Sequence, residues 1–311
     1  MRCFFIFYCG IFCSMKRMFF LFFLTFAVAF ALYAQDKTIY LWRNVKGMEK
    51  EYSVMFMHKA LNSDARADAK VPVVIVCPGG SYHHLGLYNE GYCSSKWFSE
   101  NGITAFTLKY RTNESLYNHP AQLEDVQRAI QIIRENADEF GVDKNKLGVI
   151  GYSAGGHLAA MSGAFAETHN ELEKIGIKTD VSLRPDYIMA IYPVVSMQDD
   201  IAHRWSRNSL LGYGKKKQTQ KRKDEFSIEL NIPDNMPPSY IVVCEDDHVV
   251  IPENAKRLYT ACKSKNIQNC RLAVYQWGKH GFGMLNNDFM KEFHWNDALK
   301  DWLIEINVLE K

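Results

Sequence analysis

The sequence carries almost no net charge. Its 37 Lys and Arg stand against 35 Asp and Glu, leaving +2, too little to draw nucleic acid as a partner. No basic helix interleaved with aromatics marks a nucleic-acid face either. A Cys/His cluster at zinc-ligand spacing is missing, and so is any internal repeat, which removes the solenoid and propeller architectures. Cysteine is sparse and uneven. Of eight residues, Cys3, Cys9 and Cys13 fall in the first 34 positions, and Cys77, Cys93, Cys244, Cys262 and Cys270 are left as an odd set. No disulfide framework is implied. Cys77 and Cys244 lie in apolar runs and read as small buried hydrophobes; Cys262 and Cys270 form a pair whose joining an oxidising compartment would permit.

What is present divides into a short apolar start and a long ordinary remainder. Residues 1–34 are dominated by Phe, Leu, Ile and Ala, with Lys16 and Arg17 ahead of an uncharged run from Met18 to Ala34. A positive start, an apolar middle and small residues at the end make a secretory signal. Cleavage after Ala34 leaves a mature start at Gln35, with Ala31 as the alternative site and Met15 as an alternative first residue. The competing reading is an uncleaved membrane anchor, since the run is long enough to span a bilayer. No Cys follows the run directly, which argues against a lipoprotein. The expected location is periplasmic or extracellular, with no stable membrane partner once the signal is removed. The remainder, 35–311, has the 47% apolar and 23% charged composition of a folded globular domain.

Beyond residue 35 the pattern alternates. Ile39 to Val45 and Tyr52 to Met57 open the domain as a pair of strands, with a polar turn over Asn62 to Lys70. Val71 to Cys77 is a continuous apolar run, as in a strand covered on both faces, and Pro78-Gly79-Gly80 stops it. Strands follow at Ile103 to Leu108, Leu147 to Ile150, Tyr187 to Tyr192, Tyr240 to Cys244 and Leu272 to Tyr275, each expected to be buried. Helical spacing marks Trp97 to Asn101, Gln122 to Phe140, Gly155 to Ala166, Glu253 to Lys265 and Phe289 to Ile306. The class is therefore α/β, a mostly parallel central sheet flanked by helices on both faces. Residues 196–238 interrupt the rhythm and hold the basic runs Lys215 to Lys217 and Lys221 to Lys223. They read as a solvated surface insertion or as a lid over the site.

The chemistry concentrates at three strand ends. Gly151-Tyr152-Ser153-Ala154-Gly155 is a G-x-S-x-G turn between a buried strand and an apolar helix, the context in which this motif presents a nucleophilic Ser. A Ser hydroxyl needs a base. In this strand–turn–helix arrangement the partners follow in the order acid, then His. Asp247, at the end of Tyr240 to Cys244, is the acid, with Asp246 as alternative. His280, between glycines after the last strand, is the base; His294 and His157 are rivals, placed respectively in a helix and directly after the elbow. Backbone N–H groups of Ala154, Gly80 and Ser81 are the candidate oxyanion donors. Tyr82 and Tyr152, with Tyr88 and Trp205, are candidate substrate contacts or ordinary packing. The chemistry calls for no metal and no organic cofactor.

Taken together, Cys77 to Tyr82, Glu90-Gly91, Leu108 to Arg111, Gly148 to Ala159, Glu245 to Asn254 and Lys279 to Gly283 resemble the α/β-hydrolases related to bacterial acetyl esterases and acetylxylan esterases, the BD-FAE-like proteins. The resemblance runs from about Val71 to about Trp302. It implies the α/β-hydrolase fold, read here as a single domain over 35–311 whose lid-like insertion around 196–238 comes from the break in pattern and not from the family. It also implies a serine esterase that frees short acyl groups, acetyl above all, from a carbohydrate such as acetylated xylan. The roles it implies are nucleophile for Ser153, acid for Asp247 and base for His280. The sequence departs from the family where Ser81 replaces a usual Gly and Ile251 a usual Pro, and where the basic insertion around Lys215 to Lys223 exceeds the family pattern. The alternatives are a serine peptidase of the prolyl type, for whose extra gating domain the chain has no room, and a non-catalytic hydrolase-fold binding module.

Overall fold

Alternating apolar runs and amphipathic helices can satisfy both faces of a sheet only if the helices lie across it, and the computed structural model has that layout. It describes residues 37–61 and 70–310; the expected secretory segment 1–34 and nearly all of the turn at 62–70 lie outside them. The strands are β1 (Lys37–Tyr40), β2 (Val54–His58), β3 (Val71–Cys77), β4 (Thr104–Lys109), β5 (Val142–Tyr152), β6 (Tyr187–Ile191), β7 (Ser239–Cys244) and β8 (Arg271–Tyr275). They form one sheet in the order β1-β2-β4-β3-β5-β6-β7-β8. β2 runs antiparallel to β1 and β4, and every other pairing is parallel. The α/β-hydrolase class read from the sequence is the class observed.

The helices of six or more residues are α1 (Cys93–Glu100), α2 (Ala121–Glu135), α3 (Ala154–Ala164), α4 (Arg204–Leu211), α5 (Gln220–Phe226), α6 (Glu253–Ser264), α7 (Asp288–Phe293) and α8 (Trp295–Glu305). Side chains of a strand alternate between faces, and β3 shows the division. Val73, Ile75 and Cys77 join the core beneath α2, α3 and α6, whereas Val74 and Val76 join the one beneath α1 and α8. All eleven residues of α3 are buried, as a helix apolar on every side requires.

Strand ends shift, with β1 at Lys37–Tyr40 where 39–45 is expected and β5 running Val142–Tyr152 where 147–150 is expected; three further elements differ from the sequence pattern for local reasons. The helix expected over 122–140 ends at Glu135, where Asn136 Nδ2 donates back to the Ile132 carbonyl at 2.7 Å; a further turn, Ala137–Phe140, follows. The helix expected over 289–306 breaks at His294, which is left-handed with φ 44°. Phe289 and Trp295 both pack on Phe282, at 4.3 and 5.5 Å between ring centroids. Six residues apart on an unbroken helix they would point about 120° from each other. Finally, β8 is half-exposed rather than buried, because it is an edge strand paired only with β7.

The segment 196–238 is less solvated than its lysines suggest. It holds α4 and α5 and contributes Met197, Leu210, Leu211, Phe226, Ile228, Ile232 and Met236 to the core. At roughly 2 kcal/mol per fully buried side chain this is structural mass and not a dispensable loop. Its cations divide. Lys215 to Lys217 and Lys221 are exposed, whereas Arg222 donates to the Leu211 and Lys217 carbonyls and Lys223 pairs with Asp199. Cys262 and Cys270 are both free thiols, the first buried and the second half-buried. Among the described residues no helix is long and apolar enough to cross a membrane.

Candidate active site

The chain leaves β3 toward β4 and returns on the other side of β3 as β5. A reversal of strand order of this kind opens a crevice at the carboxyl ends of the strands, where open α/β sheets bind ligands. Cys77 pairs with Gly151 across that junction, so the loop after β3 and the turn after β5 are neighbours. At the far side Cys244 pairs with Tyr275, which sets the loops after β7 and β8 side by side. The four loops meet at one end of the sheet.

Ser153 stands at the apex of the β5–α3 turn with φ 55° and ψ −117°, left-handed backbone that a non-glycine residue adopts only under constraint. The constraint is a close crossing of strand and helix. A Cβ on Gly151 would lie 1.8 Å from the Gly155 carbonyl oxygen, and one on Gly155 would lie 2.1 Å from that of Cys77. Only glycine fits either position, so both glycines of the motif have a steric reason. The Ser153 carbonyl accepts from His157 and Val194, and its N–H donates to Ile191.

Three predicted residues converge. His280 Nε2 lies 2.8 Å from Ser153 Oγ, and its Nδ1 lies 2.7 Å from Asp247 Oδ2. Asp247 is fully buried, and its Oδ1 accepts the N–H groups of Val249 and Val250 at 2.9 and 3.0 Å. An ionised carboxylate only accepts, so the imidazole proton sits on Nδ1, and Nε2 is left to accept from the Ser153 hydroxyl. Asp246, the alternative acid, does not reach the imidazole; its Oδ1 accepts from the Lys279 N–H at 2.8 Å and ties down the loop bearing His280. Neighbouring carboxylates thus do different work.

The loop after β3 is more strained than its sequence implied. Gly80, Ser81 and Tyr82 all have positive φ, at 127°, 58° and 57°. A run of left-handed residues turns successive N–H groups toward one side, as in anion-binding nests. The usual family glycine at the Ser81 position has its reason in this φ, and Ser81 bears the cost of a side chain there. The N–H groups of Gly80 and Ser81 have no hydrogen-bond partner among the described residues. Gly80, Ser81, Ser153 and His280 line one cleft of about 280 Å³, together with Glu90, His84, Asn89 and Val249. Ala154, the third candidate donor, opens α3 beside Ser153.

Glu90 enters the sequence reading only within the family stretch Glu90-Gly91, with no role attached to it. It lies on a single π-helical turn, Leu87–Tyr92, a distortion frequent at functional sites. Its Oε2 accepts from the Gly79 N–H at 2.6 Å and its Oε1 from the Tyr192 hydroxyl at 2.8 Å. Burial holds this carboxyl above its ordinary value, against the pull of those two bonds. Tyr192 also accepts from the Gly283 N–H and sets its ring edge against His280 at 4.8 Å. One buried carboxylate therefore braces both the loop after β3 and the loop that carries His280. Asn89 adds a second tie, donating to the Gly281 carbonyl at 3.0 Å. An acidic residue within a helical stretch gave no periodic signal that would have marked it.

Two expected substrate contacts are corrected. Tyr82 is fully buried, with its hydroxyl 2.8 Å from His157 Nδ1 and its ring edge-on to Tyr110 and His157. Tyr152 is fully buried with its hydroxyl bonded to Ser94. The side chain before the elbow Ser points into the sheet face opposite α3, so it cannot meet a ligand at the strand ends. Trp205, on α4, is exposed and packs against His83 and His84 at the rim of the cleft. Tyr88 is exposed and stacks on Tyr92. His294 lies on the surface beside Asp297, away from Ser153.

His157 has a structural task. Its Nε2 donates to the Phe226 carbonyl at 2.8 Å, which leaves Nδ1 to accept from Tyr82. Burial lowers its pKa to about 4. An unfolded His titrates near 6.5, so between those values the unfolded chain binds the extra proton. The stability that this neutral ring contributes is complete above about pH 6.5 and is lost as pH falls toward 4. Between pH 7 and pH 5 the wild-type protein should lose about 2 kcal/mol more than a His157→Gln variant, read as unfolding free energies in urea. Equal losses in the two proteins would show that His157 is not the group responsible.

Comparison with known proteins agrees with this geometry. Residues 61–262 match the BD-FAE family. An acetylxylan esterase of Xylanibacter ruminicola is 30% identical over 212 residues, 68% of this chain and 41% of that protein. An endo-1,4-beta-xylanase B of Butyrivibrio fibrisolvens is 33% identical over 225 residues, 71% of this chain and 34% of that protein. The chain therefore spans well under half the length of these curated relatives. A crystal structure of an acetyl ester-xyloside bifunctional hydrolase from Caldicellulosiruptor lactoaceticus superposes with a TM-score of 0.77 at 29% identity, covering 89% of this chain and 99% of that one. With the family match reaching across Ser153 at the elbow and Asp247 after β7, and the sheet and loops arranged as described, the chain belongs to the BD-FAE family and has the α/β-hydrolase fold.

Proposed function

We propose that the chain is a serine carboxylic ester hydrolase that releases short acyl groups, acetyl foremost, from a carbohydrate such as acetylated xylan. The observation that carries this reading is the unbroken line of hydrogen bonds from Ser153 through His280 to Asp247, opening on the cleft after β3 and β5. In this mechanism His280 Nε2 takes the proton as Ser153 Oγ attacks the ester carbonyl, and Asp247 stabilises the imidazolium. The N–H groups of Gly80, Ser81 and Ala154 meet the oxyanion. His280 returns the proton to the leaving alkoxide, and water then frees the acyl group from Ser153 by the same sequence. The relatives named for acetylxylan and xylose-containing substrates support the choice of carbohydrate. We also propose that the chain is exported by its N-terminal segment and acts outside the cytoplasm.

The test is hydrolysis of acetyl, butyryl and octanoyl p-nitrophenyl esters and of acetylated xylan by protein beginning at Gln35. The expected result is acetate release from the polymer and a kcat/KM on the acetyl ester at least about tenfold above that on the octanoyl ester, since each methylene that a small site cannot accept is costly. A folded protein that hydrolyses none of these esters refutes the reading.

A further inference from the structure

A second cavity, of about 460 Å³, adjoins the cleft and shares His84 with it. No step of the mechanism uses it. Its wall is fixed in advance. Arg111 is buried, donates to Asp125 and Glu124, and lies 5.4 Å over the Tyr117 ring. Asp125, fully buried, accepts also from Trp42 and Ser53. Glu51 adds a third, longer ion pair to Arg111, at 3.4 Å. The floor is one piece with the loop after β3, because the N–H groups of Asn113 and Glu114 donate to the Tyr82 and His83 carbonyls at 2.8 and 3.1 Å. Tyr52, which lines the same cavity, is 79% exposed, a ring presented to solvent.

The charge balance and the mix of groups define the occupant. Arg111 is already matched by three carboxylates, Glu51, Glu124 and Asp125, and Lys109 and Glu114 on the rim oppose each other in sign, so an anion gains little there. Aromatic faces beside the hydroxyls of Thr112 and Ser115 suit a ligand that is apolar on the flat of its rings and polar at their edges. We propose that this cavity is a subsite for the neutral pyranose units that flank the esterified sugar, holding the polymer while its acetyl group enters the cleft at Ser153. The proposal rests on the esterase reading above and names the part of the substrate that reading leaves unplaced.

The experiment compares Tyr52→Ala and Ser115→Trp, the second placing a bulky ring in the cavity, with wild-type protein from Gln35. The ratio of kcat/KM on acetylated xylan to kcat/KM on p-nitrophenyl acetate is expected to fall about tenfold in each variant, through KM on the polymer, as expected for one lost or blocked ring contact. An unchanged ratio overturns the subsite. Unacetylated xylotetraose is titrated in parallel into Ser153→Ala protein by calorimetry, with and without Tyr52→Ala. Binding that weakens about tenfold on loss of Tyr52 supports the subsite even if the wild type proves inactive on every ester, and absence of measurable binding overturns it whatever the esterase assay gives.

Discussion

Ser153→Ala should lower kcat on p-nitrophenyl acetate by a factor on the order of 10⁴ or more and leave the folded structure in place. The size follows from what the hydroxyl does. Without Oγ there is no covalent acyl intermediate, and His280 can only activate a water held less well. What survives is the oxyanion loop, whose donors are backbone N–H groups untouched by the substitution. The fold should persist because the elbow is set by Gly151 and Gly155, and alanine, without the hydroxyl, adds no atom to the turn. Initial rates and a pre-steady-state burst on the wild type, with circular dichroism on both proteins, make the measurement. A burst in wild type that vanishes in the variant is the expected pattern; undiminished turnover by Ser153→Ala would remove this residue from the chemistry.

Asp247→Asn and Asp246→Asn should separate by about three orders of magnitude. The first variant keeps an acceptor for Val249 and Val250, so its loop should hold. Its amide N–H₂, however, now faces His280 Nδ1 and favours the tautomer whose Nε2 carries the proton and cannot accept from Ser153. Loss of a correctly held tautomer costs about 10⁴ in kcat. The second variant still offers an oxygen to the Lys279 N–H and should lose about tenfold or less, as a loop anchor rather than a reacting group. Steady-state kinetics on the acetyl ester distinguishes them, and a larger loss in Asp246→Asn would reverse the assignment of the acid.

The parts legible in the sequence were those set by backbone geometry. Val71 to Cys77 reads as a doubly covered strand because nothing polar interrupts it, and its bounds agree with β3. The elbow is legible because two glycines answer two close approaches that no other residue survives. The convergence of Ser153, Asp247 and His280 followed from strand order, since each ends or follows a parallel strand. What stayed hidden depends on side-chain direction. Tyr82 and Tyr152 were taken for pocket residues because they adjoin Gly80-Ser81 and Ser153 in sequence, yet the left-handed turn and the strand's alternation drive both inward. The role of Glu90 is hidden for the converse reason: it comes from bonds to Gly79 on the neighbouring loop and to Tyr192, 102 positions away, which no local pattern records. The segment 196–238 hid its core residues because they are spread over two short helices and a loop, with no period to count.

The order of assembly along the chain carries a consequence for how activity arises. On the proposed mechanism the nucleophile and the oxyanion loop follow β5 and β3, whereas the base follows β8, the last strand of the sheet in chain order among the described residues and an edge strand held by β7 alone. A growing or partly unfolded chain that has not laid β8 against β7 has its Ser153 but nothing to activate it. On that mechanism hydrolytic power requires β8 in place against β7, and it is lost when the sheet frays at that edge. Heating should silence the protein before its central strands let go.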